Sequence, residues 1–165
     1  MQKTAARDGR TTAVDYRERL SPSLWAIVSA AVCAPMAALV FAPLDATVSL
    51  TVGVVVGVLI ILVMVAASPV VRVKDGVLFA GRAHIDVALL GTPRALTGEE
   101  ARHARGGGLP AHAWHVIRGG IDGILTIDVE DADDPAPTWV ISSRTPDRLA
   151  AAVRRAQATR RTPGR

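Results

Sequence analysis

Thr47-Val-Ser-Leu-Thr-Val-Gly-Val-Val-Val-Gly-Val-Leu-Ile-Ile-Leu-Val-Met-Val-Ala-Ala67 carries no ionisable side chain and is about as long as a helix that crosses a hydrocarbon core. Its valines and isoleucines alone favour strands. In lipid, however, an open strand leaves backbone groups unpaired, and only a helix satisfies them within one segment. The stretch reads as a membrane span, and the rest of the chain is arranged around it.

Leu24–Ala42 is a second uncharged run, with Pro35 in its middle. Proline kinks a helix but is tolerated in membrane helices. The rival reading is a signal peptide. The polar leader is long for one, and the best small-residue exit, Val40-Phe-Ala42, runs straight into Pro43, which disfavours cleavage. Only Pro43-Leu-Asp-Ala46 joins the two runs, so they form an antiparallel hairpin. Lys3, Arg7, Arg10, Arg17 and Arg19 precede it, Arg72, Lys74 and Arg82 follow it, and Asp45 is the only charge in its turn. The positive-inside rule then predicts a cell-membrane protein with two spans and both termini cytoplasmic. Tyr16 and Trp25 sit where aromatic side chains collar a span. Ala26, Ala30, Ala34 and Ala38 recur every four residues on the first run, and Ser49, Gly53 and Gly57 on the second. Such faces let helices approach closely, within the hairpin or against a second copy or another membrane protein.

The chain has 165 residues, and the hairpin leaves room for one soluble domain of about 95 residues, near the lower limit of independent folding. The formal charge is +4, and all basic residues except Lys3 and Lys74 are arginine. With three tryptophans, one tyrosine and two phenylalanines, the chain lacks a base-stacking platform, so nucleic acid is not an expected partner. Cys33 is alone in an apolar run and forms no intrachain disulfide. The expected division is a cytoplasmic tail over 1–23 with a disordered first dozen residues, a transmembrane hairpin over 24–67, a cytoplasmic β-rich domain over 68–158 and a basic disordered tail over 159–165.

Within the domain, Val71–Lys74, Asp75-Gly76 and Val77–Ala80 spell a β-hairpin, because Asp-Gly fills a two-residue turn with positive φ. Ala83–Asp86 continues as a strand, Asp86–Leu90 as a short helical turn and Gly91–Leu96 as a strand. Thr97-Gly-Glu-Glu100 reads as a capping box opening a polar helix to about Arg105, which Gly106–Gly108 ends. Trp114–Arg118, Ile124–Glu130 and Thr138–Ser142 are further strands, with Gly119–Gly123 a turn. Thr145-Pro-Asp-Arg-Leu starts the last helix, proline at its first position, and Leu149, Ala152, Val153 and Ala156 share one face of it. Strands closed by one C-terminal amphipathic helix predict an α+β domain, a small barrel or sandwich with a pleckstrin-homology-like outline.

Three stretches resemble the DUF3093 family, actinobacterial membrane proteins of unknown function. They are Tyr16-Arg-Glu-Arg-Leu20 before the paired spans, Val71 to Ile85, and above all Asp131 to Leu149. This chain has Pro135-Ala-Pro-Thr-Trp139 where family members usually read Pro-Thr-Pro-Tyr-Trp. The resemblance implies a membrane protein with a small cytoplasmic domain and brings no catalytic residue.

No cofactor or metal is expected. His112 and His115, with His103, do not have zinc spacing. The acids Asp128, Glu130, Asp131, Asp133 and Asp134 lack the EF-hand order. Gly106–Gly108 is not followed by a P-loop lysine, and Ser142-Ser143 lacks the elbow glycines of a hydrolase. The chain therefore reads as a non-enzymatic binding or scaffold module that docks a protein partner or anionic lipid. Arg72, Lys74, Arg82, Arg154 and Arg155 are the residues expected to face the membrane surface. The alternative is an accessory subunit of a membrane enzyme or transporter, suggested by the two small-residue faces.

Overall fold

A computed structural model describes residues 14–43 and 45–161. The elements run β1 (Val14–Arg19), α1 (Leu24–Phe41), α2 (Ala46–Ala66), β2 (Val70–Lys74), β3 (Val77–Ala80), β4 (Ala83–Asp86), a 3-10 turn (Val87–Leu89), β5 (Arg94–Leu96), α3 (Gly98–Ala104), β6 (Trp114–Val116), β7 (Ile124–Asp128), β8 (Thr138–Ser142) and α4 (Pro146–Arg161).

α1 and α2 are long and apolar enough to cross a membrane. Ser23 caps α1 through the Ala26 amide, and Asp45 caps α2 through the amides of Thr47 and Val48. The helices pack on each other through their small residues. A Cβ at Gly53 would lie 2.9 Å from both the Ala34 carbonyl oxygen and the Ala38 Cβ, and one at Gly57 would lie 3.0 Å from the Ala34 Cβ. Ser49 Oγ donates to the Ala38 carbonyl at 2.7 Å, and Ala30 is half-buried. The outer faces are apolar and uncovered. Among the described residues, every exposed large hydrophobic residue except Leu89 lies on α1 or α2.

The remaining elements form two four-stranded sheets, ordered β1-β2-β3-β4 and β5-β7-β8-β6. Val14–Arg19 falls in the segment 1–23 that sequence reading assigned to a tail, and this is corrected: it is a strand, antiparallel to β2, with Tyr16 opposite Val73 and Arg19 opposite Val70. Its charged, short pattern hides it, because it becomes a strand only through a partner beyond the hairpin. At the C-terminus α4 continues through Arg161, so 159–161 are helical; the expected disorder of the first dozen residues and of 162–165 lies outside the described residues.

The Asp75-Gly76 hairpin forms as expected, with φ of 52° and 75° at its two turn residues. Thr97 occupies the cap of α3 but makes no side-chain cap hydrogen bond, so the capping box is not formed. The link from β6 to β7 is not a hairpin turn. β8 lies between them, antiparallel to β7 and parallel to β6. Ile121, in the middle of the link, is 1 % exposed and enters the core, which carries the chain across the end of the sheet.

One core unites both sheets and α4. It includes Leu20, Val71, Val73, Leu78, Ile127, Trp139, Ile141, Leu149 and Val153. α3 covers the opposite face of the second sheet through Ala101, against Ile124 and Val140. Helical periodicity explains α4: Leu149, Ala152, Val153 and Ala156 are buried while Arg154 and Arg155 stay exposed.

Gly53→Leu has no room on the hairpin seam, because the atoms it meets include backbone. The expected cost is about 1–3 kcal/mol, read as a lower unfolding midpoint in detergent. Val54→Leu, on an exposed face, is the control and leaves the midpoint unchanged.

Candidate functional site

The pleat of β1 turns Tyr16 and Glu18 to one side, where they meet the junction between β8 and α4. Glu18 Oε2 accepts from the Tyr16 hydroxyl at 2.6 Å and from Ser143 Oγ at 2.7 Å. Its Oε1 accepts from the Arg144 amide at 2.8 Å, and the Arg144 guanidinium is 3.7 Å away. Each hydroxyl has one proton, so with Tyr16 donating to Glu18, Thr145 Oγ1 donates to the tyrosine oxygen at 3.0 Å. The Thr145 amide donates to Ser143 Oγ at 3.1 Å. The cluster is closed on itself. Ser143 is fully buried, and its hydroxyl ties β1 to the junction between β8 and α4.

Beside this cluster, β1 and α4 border a groove of about 680 Å³ lined by Tyr16, Arg17, Glu18, Arg144, Thr145, Arg148, Ala151 and Arg155. Arg144 is held at one end. Its guanidinium donates to the Arg19 carbonyl at 3.1 Å and to the Ser21 carbonyl and Oγ at 3.3 and 3.2 Å. Arg148 and Arg155 lie two turns apart on α4. Neither guanidinium has a hydrogen bond or a carboxylate partner among the described residues, whereas Arg102, Arg105 and Arg160 each have one. Four arginines thus face one carboxylate whose lone pairs are already engaged, and the groove is suited to an anion.

The sequence profile of DUF3093, described as a protein of unknown function, matches residues 15–153. The chain belongs to this family. No curated protein and no solved structure matches it. The DUF3093 match begins inside β1 and ends inside α4, so the family unit includes the strand ahead of the hairpin as well as both sheets.

The five basic residues expected from the sequence to face the membrane surface are distributed over separate places. Arg72 stacks over the Phe79 ring at 4.2 Å. Lys74, at the far end of β2, pairs with Asp75 at 3.7 Å. Arg82 lies in the β3–β4 turn beside a second groove of about 620 Å³, with Ser68, Trp114 and His115. Arg154 donates to the Pro93 carbonyl at 3.4 Å. Arg155 alone joins the arginine groove. Sequence reasoning placed Tyr16 in an aromatic collar and Arg17 in the basic flank of the hairpin, and it missed their grouping with Glu18, Arg144 and Arg148. A signal for part of the set was present: Arg148, Ala151 and Arg155 have the spacing of one helical stripe. Among the described residues no three His, Cys, Asp or Glu side chains converge as for a metal. Asp131 and Asp134 instead cap the amides of Asp133 and Ala136, Ser142 Oγ accepts from the Arg118 amide, and His103 packs under Gly108.

Burial holds the Tyr16 phenol above its ordinary pKa, the hydrogen bond to Glu18 adds to this, and the Ser143 and Thr145 hydroxyls oppose it. A raised pKa means the folded state keeps the proton more tightly. The stabilisation is complete below the unfolded value of about 10 and is lost as pH rises through the folded value. Tyr16 is the only tyrosine, so alkaline titration of tyrosinate absorbance reads this site alone. The expected midpoint lies above that of the unfolded chain, and Glu18→Gln moves it down. An unchanged midpoint in the variant would show that Glu18 does not hold the phenol.

Proposed function

We propose that the chain is an integral membrane protein with two spans, α1 and α2, and both termini cytoplasmic. Its domain is then a PH-like binding module held against the inner membrane face, where it docks a protein partner or anionic lipid. The observation that carries this reading is the distribution of apolar surface. The hairpin leaves its large hydrophobic side chains uncovered, while the domain buries its own almost completely. A soluble protein rarely exposes so large a contiguous apolar surface, and lipid covers it without a partner chain. At 1.5 Å per residue, 18 and 21 residues give helices of about 27 and 31 Å, matched to a hydrocarbon core of about 30 Å.

The β1–β2 pairing supports the topology independently of charge. Strands that directly flank the two helices and bond to each other require both ends of the hairpin on one side. The basic residues around those ends, set against Asp45 at the turn, favour the cytoplasmic side. The PH-like description rests on the two sheets closed by α4. The accessory-subunit alternative gains no support, because the small faces that suggested it are filled by each other.

Single-cysteine labelling in a Cys33→Ala background tests the reading with an impermeant reagent on intact cells. Ala42→Cys, in the turn between the helices, is expected to react, and it leaves the Asp45 cap in place. Thr159→Cys, on the exposed end of α4, is expected to react only after lysis. Labelling of Thr159→Cys in intact cells would overturn the cytoplasmic domain.

A further inference from the structure

We infer that the groove between β1 and α4 receives a phosphoryl group, held by Arg148 and Arg155 with Arg144 at its inner end. A guanidinium presents a planar fork of donors that matches phosphate oxygens and is worth most when no internal acceptor competes for it. Arg148 and Arg155 meet that condition: both line a concavity and neither has an acceptor among the described residues. Glu18, the one acid of the lining, is 12 % exposed and already accepts from Tyr16, Ser143 and the Arg144 amide. Its charge is answered locally by Arg144, and the positive charge farther along α4 is left over. A volume of about 680 Å³ falls within the range of small-ligand sites.

The position of the groove narrows the ligand, and this step rests on the membrane reading above. Arg144 hydrogen-bonds Ser21, which precedes the start of α1 at Leu24 by three positions, so the inner end of the groove is level with lipid headgroups. α4 runs outward from there. Its far end reaches the Asp75 carbonyl and Asp86 through Arg160, and Arg155 lies about 10 Å beyond Arg148. A phosphate at the inner end belongs to a lipid headgroup rising from the leaflet or to a soluble phosphorylated molecule. The recognition chemistry is the same for both.

The test uses the full chain in neutral detergent micelles at low salt, titrated calorimetrically with pyrophosphate and, separately, with short-chain phosphatidate. Saturable binding at one site is expected. Arg148→Gln and Arg155→Gln are each expected to weaken it about tenfold, whereas Arg94→Gln, exposed on β5, leaves it unchanged. Both groove arginines are exposed and have no partner among the described residues, so their variants keep the wild-type circular dichroism and melting point. Binding of pyrophosphate as tight as that of phosphatidate assigns a soluble ligand, and binding of phosphatidate alone assigns the lipid; either supports the site. Binding of neither, or affinity that survives both substitutions, overturns it. A micelle has no sides, so this result is independent of the labelling pattern: loss of binding with the expected labelling removes the groove alone, and the reverse removes only the topology.

Discussion

Two strands that flank the helical hairpin bond directly to each other, and the architecture depends on that closure. Leu20 donates its amide to the Pro69 carbonyl at 2.9 Å, and the Arg19 guanidinium reaches the Val65 carbonyl at 2.6 Å. The loop thereby closed contains both long helices. Closing it would be costly for a flexible chain, but the Gly53–Ala38 and Gly57–Ala34 contacts have already folded it back on itself. Hairpin packing and sheet formation therefore support each other. Strain on the seam at Gly53 acts on β1 as well as on α2.

The second tie runs from β1 to the other sheet. Glu18 gathers a phenol, a buried hydroxyl and a backbone amide from residues 125 or more positions away, except for its neighbour Tyr16. Removing the carboxylate would leave the fully buried Ser143 hydroxyl with only the tyrosine oxygen, 3.1 Å away, to accept its proton, and losing a buried bond is costlier than losing an exposed one. The same tie shapes the groove. It draws Arg144 back toward Ser21 and leaves Arg148 and Arg155 facing the space between β1 and α4.

The site was only partly legible in the residues. The stripe of Arg148 and Arg155 on α4 is written in helical spacing, whereas Arg144 reaches the groove from the loop ahead of the helix, and sequence reading groups Arg155 with Arg72, Lys74, Arg82 and Arg154. Those four have different neighbours: an aromatic ring, an adjacent acid, a separate groove and a backbone carbonyl. Counting basic residues near the hairpin finds charge but not concavity. Which arginines remain unpaired depends on where acids from distant segments come to rest, as Asp86 does beside Arg160 and Asp122 beside Arg105.

The sequence by itself determined the features whose cause is local. Two uncharged runs specify long apolar helices because no side chain in them interrupts a helix except Pro35, which α1 accommodates. Asp75-Gly76 specifies a tight turn because both residues accept positive φ, and the spacing of Leu149, Ala152, Val153 and Ala156 specifies the buried face of α4. Only the tertiary structure decided the pairing of β1 with β2, the parallel placement of β6 on β8 and the assembly of Glu18 with Ser143. A six-residue strand of alternating charge, or a three-residue one, draws its stability from the partner it finds. That partner lies beyond a helical hairpin or across an intervening strand, where periodicity carries no information about it.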